Sequence, residues 1–154
     1  MSVERVSHIG LCVADLEASL HFYRDALGFR ERSRLDVAGE HAARLLQVAD
    51  ASLRAVYLER DGLRLELLHF EAQEPADDPT LRPMNQPGLT HLSLRVTGMA
   101  PLLERIVVAG GRVLEETRIL FPAAATTALF VTDPDGTRIE LVEAPGDVEK
   151  LPGE

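Results

Sequence analysis

Two histidines and two glutamates recur in matching surroundings along this 154-residue chain: His8 with His91, and Glu66 with Glu140. Imidazole nitrogen and carboxylate oxygen together suit a divalent cation of intermediate hardness, and a carboxylate beside such an ion can also move a proton. Singly, a strand histidine is ordinarily a satisfied polar residue and a strand glutamate a solvated one. Joint recurrence gives these four a different meaning, and it rests on an internal repeat.

The segments VSHIGLCVADLEASLHFYRDALGF (6–29) and LTHLSLRVTGMAPLLERIVVAGGR (89–112) share a plan. Each opens on an alternating stretch whose third residue is histidine, continues into an amphipathic helix and stops at glycine. His8 and His91 are 83 positions apart, as are Gly28 and Gly111. DGLRLELL (61–68) and DGTRIELV (135–142) then share D-G-x-R-x-E-L, with Glu66 and Glu140 separated by 74. The first copy therefore holds 83 − 74 = 9 additional residues, placed near Asp36–Ser52. They are either a tolerated surface insertion or the wall or lid of a pocket.

Local signals supply the elements that position these residues. Residues 3–13 alternate and are rich in Val and Ile, which predicts a strand. Asp15 suits a helix N-cap; Leu16, Leu20, Tyr23 and Leu27 follow at helical spacing, and Gly28 suits the left-handed exit. Phe29–Leu35, Leu53–Leu58 and Leu63–Phe70 read as strands, the last two joined by an Asp61–Gly62 hairpin turn. In the second copy Met99, Leu102, Leu103, Ile106 and Val107 mark a helix, with Pro101 in its first turn. Strands at Thr127–Val131 and Thr137–Glu143 flank a D-P-D-G turn. The expectation is an α+β chain of two tandem βαβββ modules, forming an eight-stranded, partly open mixed sheet around a central cavity. The first module spans 1–72, a proline-rich linker 73–88, the second module 89–145 and a frayed tail 146–154.

Side chains alternate along a strand. Leu65 and Leu67, like Ile139 and Leu141, form an apolar face, so Glu66 and Glu140 point the other way, each two residues after an arginine (Arg64, Arg138). Paired modules would then deliver His8, Glu66, His91 and Glu140 to one divalent ion, and a cation would offset the cost of a half-buried carboxylate. Arg64 and Arg138 are either weak substrate-binding candidates for an anionic group or rim residues in surface ion pairs. His21, His41 and His69 have no counterpart in the other copy and read as surface or helix residues.

Bulk properties narrow the partners. A net charge of −9 disfavours nucleic acid and anionic membrane. No apolar run is long enough to cross a bilayer, and the first ten residues lack the apolar core of a secretory signal. The single cysteine, Cys12, excludes an intrachain disulfide and points to a cytoplasmic protein; it reads as a small apolar residue on a buried strand.

The stretches VSHIGLCVADLEASLHFYRDALGF, LRLELL, LTHLSLRV and FVTDPDGTRIELVE resemble the vicinal oxygen chelate superfamily, over residues 3–143. That group includes glyoxalase I, methylmalonyl-CoA epimerase, extradiol dioxygenases, and fosfomycin and bleomycin resistance proteins. The His-Glu-His-Glu order is similar to bacterial glyoxalase I at all four positions. The epimerase type usually has glutamine where Glu66 stands, dioxygenases and fosfomycin-modifying enzymes have histidine there, and bleomycin-binding proteins lack the set. The resemblance implies one divalent ion per site (Ni, Co, Zn, Mn or Fe). It implies a lyase or isomerase that moves a proton α to the carbonyl of a small substrate or thioester through a metal-stabilised enediolate. Glu140 would be the catalytic base and Glu66 its counterpart. It also implies a homodimer. The alternatives are a dioxygenase-type oxidoreductase and a non-catalytic small-molecule binding protein of the resistance type.

Overall fold

A computed structural model describes residues 3–71 and 82–150. The chain divides into two compact units, residues 1–78 and 79–154. Unit 1 contains β1 (Ile9–Cys12), α1 (Leu16–Leu20, continued by a π-helical segment His21–Ala26), β2 (Arg30–Ala38), α2 (Glu40–Leu46), β3 (Ser52–Arg60) and β4 (Leu63–Phe70). Unit 2 contains β5 (Leu92–Val96), α3 (Met99–Val108), β6 (Arg112–Phe121), β7 (Thr126–Thr132) and β8 (Arg138–Glu143). Each is a four-stranded mixed sheet, β1-β4-β3-β2 and β5-β8-β7-β6, with a parallel first pair and antiparallel neighbours thereafter. The α+β class, the eight strands and the duplicated βαβββ order match the expectation. The linker expected at 73–88 and the tail at 146–154 fall partly outside the described residues.

In unit 1 the helix and one sheet face form the core: Leu16, Leu20, Phe22, Tyr23, Leu27, Leu65 and Leu67 are all buried. Asp15 caps α1, its side chain accepting from Ala18 N at 2.9 Å. Asp61 and Gly62 both have positive φ (51° and 80°), the backbone that a two-residue hairpin turn requires. In unit 2, Met99, Leu102, Ile106, Leu129, Val131, Ile139 and Leu141 are buried. The D-P-D-G turn is fixed by Asp133, which accepts from Asp135 N and Thr137 N at 3.0 and 2.7 Å, and this sets the start of β8.

Several boundaries differ from the sequence reading. The first strand pairs only over Ile9–Cys12, because β4 starts at Leu63 and residues ahead of Ser7 have no parallel partner opposite them. Cys12 is exposed rather than buried, since it shares the face of Gly10, away from the face of Ile9 and Leu11. Val107 is exposed, lying outside the stripe of Met99, Leu102 and Ile106. β2 and β3 are longer than expected, and the inserted residues lengthen this hairpin and add α2, whose buried residue is Ala42.

The helix exits also differ. Gly28 is left-handed (φ 76°), but in unit 2 that conformation belongs to Gly110 (φ 86°), not Gly111. Asp15 to Gly28 is thus 13 positions, whereas the corresponding Gly98 to Gly110 is 12. The additional residue is absorbed by the π-helical His21–Ala26, the usual way a helix takes up a single insertion.

Candidate functional site

The elements place the four residues in two equivalent pairs, one in each unit. His8 and His91 each stand immediately ahead of the first laddered residue of a parallel strand, Ile9 and Leu92. The glutamates sit mid-strand beside them: Glu66 faces Gly10, and Glu140 faces Ser93. Extending the same register puts Arg64 beside His8 and Arg138 beside His91. The burial of Leu65, Leu67, Ile139 and Leu141 forces both glutamates to the opposite sheet face.

In unit 1, His8 Nε2 lies 3.1 Å from Glu66 Oε2. In unit 2, His91 Nε2 lies 3.8 Å from Glu140 Oε2. Two donors at right angles, each about 2.1 Å from a shared ion, are separated by about 3 Å. Pair 1 already has that spacing, and pair 2 is slightly wider. The far nitrogen of each ring is engaged in the same way: Ser7 Oγ lies 3.0 Å from His8 Nδ1, and Thr90 Oγ1 3.0 Å from His91 Nδ1. A hydroxyl at Nδ1 leaves Nε2 as the coordinating nitrogen and orients the ring. Each ring also meets an aromatic edge to face, His8 with Tyr57 at 5.4 Å and His91 with Phe130 at 5.3 Å between centroids. The donor types, the Nε2 atoms turned to a carboxylate oxygen and the pair spacing fit a divalent cation. Among the described residues no group of three or more His, Cys, Asp or Glu side chains is placed to hold a metal ion, so each unit offers a pair and nothing larger.

The carboxylates are held differently. Tyr57, opposite Glu66 in the β3–β4 ladder, donates its hydroxyl to Glu66 Oε1. That hydrogen bond, helped by burial and by the negative charge of Glu66, pushes the phenol up to about 12, so Tyr57 remains a donor at neutral pH. Glu140 instead accepts from Ser93 Oγ at 2.6 Å, on the oxygen that approaches His91. Glu66 is also more enclosed, its side chain 14% exposed against 30% for Glu140.

The remaining candidates lie at the margins. Arg138 donates to the Arg82 carbonyl, and Arg64 is half-buried on β4 opposite Glu59. His21 pairs with Asp25 at 3.0 Å on the π-helical segment, and His41 lies in α2. His69, read as a surface or helix residue, is the half-buried penultimate residue of β4, on the face opposite Glu66 with its Nδ1 3.4 Å from the Val13 carbonyl. Sequence reasoning missed Tyr57 and Ser93. A strand aromatic reads as core, but the two-residue Asp61–Gly62 turn already dictates that 57 faces 66.

Comparison with known proteins bears on this geometry. A model of the Glyoxalase/Bleomycin resistance protein/Dioxygenase superfamily matches residues 5–141. A lactoylglutathione lyase of Neisseria meningitidis serogroup A is 31% identical over 140 residues, covering 90% of each chain. A lactoylglutathione lyase of Salmonella typhimurium is 32% identical over 140 residues, covering 91% of this chain and 93% of its own. Among solved structures, a glyoxalase family protein from Bacillus cereus superimposes with a TM-score of 0.80 at 19% identity, covering 95% of this chain and 97% of the other; this likeness concerns the fold.

Proposed function

Because this chain belongs to the Glyoxalase/Bleomycin resistance protein/Dioxygenase superfamily, we propose that it is a divalent-metal-dependent lyase or isomerase of glyoxalase type, with His8, Glu66, His91 and Glu140 as the ligands of one ion. The observation that carries the reading is the duplicated pair: a histidine Nε2 beside a glutamate oxygen in each unit, at 3.1 and 3.8 Å, with a hydroxyl at each Nδ1. Identity of about a third to lactoylglutathione lyases over nearly the whole chain supports the same class of reaction.

The cation, when bound, would polarise the substrate oxygens and stabilise the negative charge left as a proton departs from the neighbouring carbon. Glu140 is the base that takes this proton and returns it to the adjacent carbon; its carboxylate is the less enclosed of the two. Glu66 is the counterpart on the opposite ligand pair. Ser7 and Thr90 keep both imidazoles turned with Nε2 toward the reacting groups. The substrate is a small molecule with a carbonyl beside an acidic C–H, as in a hemithioacetal or thioester, and Arg64 and Arg138, beside the two histidines in register, are the weaker candidates to meet an anionic part of it.

Elemental analysis of the purified chain, followed by assay of a hemithioacetal with Ni, Co, Zn, Mn or Fe restored to stripped protein, tests the proposal. Turnover that vanishes on stripping and returns with metal is the expected result. Iron content coupled to oxygen consumption, or protein that neither holds metal nor gains activity from any, would overturn it.

A further inference from the structure

The aromatic partner of the histidine is kept in both units, but its hydroxyl is not. Tyr57 and Phe130 occupy the same register place, each opposite the glutamate of its own unit: Tyr57 opposite Glu66 and Phe130 opposite Glu140. Both rings meet their histidine edge to face at nearly the same distance, 5.4 and 5.3 Å. Supporting the imidazole therefore explains the ring and leaves the hydroxyl unexplained. In unit 1 the hydroxyl divides the work of the carboxylate: Oε1 accepts from Tyr57, while Oε2 lies 3.1 Å from His8 Nε2. In unit 2 a single oxygen, Oε2, both accepts from Ser93 and approaches His91, at the wider 3.8 Å. Gly10, the residue facing Glu66, has no hydroxyl, so unit 1 has no counterpart to the Ser93 hydrogen bond and Oε2 is left to His8.

We infer that Tyr57 is a positioning residue that fixes Glu66 as the permanent ligand, and that its replacement by Phe130 in the other unit is what leaves Glu140 able to move between holding the ion and carrying a proton. Tethering one oxygen removes rotation about the last side-chain bonds of Glu66, so the other oxygen stays on the ion throughout turnover. Glu140 has no phenol tether and is held instead by the rotatable Ser93 hydroxyl, on the oxygen that approaches His91, so it can swing without breaking a phenol hydrogen bond. The inference rests on the proposed metal-dependent reading and deepens it, by naming Tyr57 as the side chain that restrains one of two glutamates that the repeat makes look alike.

The test uses Tyr57→Phe, Phe130→Tyr and the double exchange, with cobalt(II) titrated into stripped full-length protein against a competing chelator and its absorption bands recorded. Tyr57→Phe is expected to weaken cobalt binding about 10- to 100-fold, the range for lost outer hydrogen bonds at metal sites, and to shift the bands. Phe130→Tyr is expected to leave cobalt affinity equal or tighter and to lower kcat with little change in KM, because the base is now restrained. The unchanged circular-dichroism spectrum of each variant separates these effects from misfolding. Parent-like affinity and bands in Tyr57→Phe, or unchanged kcat in Phe130→Tyr, would overturn the inference while the metal reading stood. A parent chain that binds no cobalt would sink both together, and would be recognised before any variant was made.

Discussion

The two units show what duplication preserves and what it releases. Unit 1 and unit 2 retain the histidine ahead of the parallel strand, the hydroxyl on its Nδ1, the aromatic edge against its ring and the glutamate mid-strand. They differ in the support around that set. Asp15 caps α1 locally, whereas Gly98 has no side chain and α3 is capped from across the unit: Glu143, the last residue of β8, accepts from Gly98 N at 2.6 Å and Met99 N at 3.2 Å. Unit 1 carries a π-helical segment, whereas α3 of unit 2 is a regular α-helix. The backbone that bears the two histidine–glutamate pairs is held alike, and the divergence extends to the residues that hydrogen-bond each carboxylate, Tyr57 in one unit and Ser93 in the other.

The largest expected asymmetry is chemical. Glu140→Gln should retain the ion but lose about 10²–10⁴ in kcat, the usual contribution of a positioned base, whereas Glu66→Gln should lose metal affinity first. Metal titration and steady-state rates on both variants would distinguish these; equal behaviour would erase the division of roles. Next, Leu67→Ala and Leu141→Ala remove fully buried side chains at equivalent places and should each cost about 2–5 kcal/mol in denaturant unfolding. A much smaller loss in one unit would show that its core collapses around the cavity.

A smaller effect concerns the helices. Deleting Asp25 from the π-helical segment should restore the 12-position spacing of unit 2 and lower Tm by only a few degrees. Deleting Arg105 from the regular α3 should be far more damaging, because every later residue rotates by about 100° out of the core stripe. Glu143→Ala should cost about 1 kcal/mol, as for a lost N-cap, with no counterpart from the same change at His69. The smallest effect is with pH. Arg24 and His21 hydrogen-bond Asp25 and hold its carboxyl at about 2, below the ordinary 3.8. A depressed folded-state value means the contribution is present above about pH 4 and fades as pH falls toward 2. A carbon-13 titration of that carboxyl, with Asp25→Asn as reference, checks it.

Much of this was legible in the sequence, for identifiable reasons. His8, His91, Glu66 and Glu140 were visible because both copies kept the residue and its immediate neighbours. The sheet face of the glutamates followed from strict alternation around Leu65, Leu67, Ile139 and Leu141. What escaped was set by tertiary register or local ambiguity. Gly110–Gly111 offered two adjacent helix exits, so the single-residue insertion was invisible until the backbone showed which glycine is left-handed. The length of the first strand depended on where its parallel partner began. Tyr57 was recoverable through the short Asp61–Gly62 turn, but the longer turn at Asp133 gave no such rule for Phe130 and Glu140.

The central claim is that two histidine–glutamate pairs serve a single ion. Counting tightly bound divalent metal per chain, in the parent and in His8→Ala and His91→Ala separately, addresses it most directly. The account predicts one ion per parent chain and its loss from either variant. Two independent ions per chain, or a His91→Ala protein that binds as tightly as the parent, would contradict it.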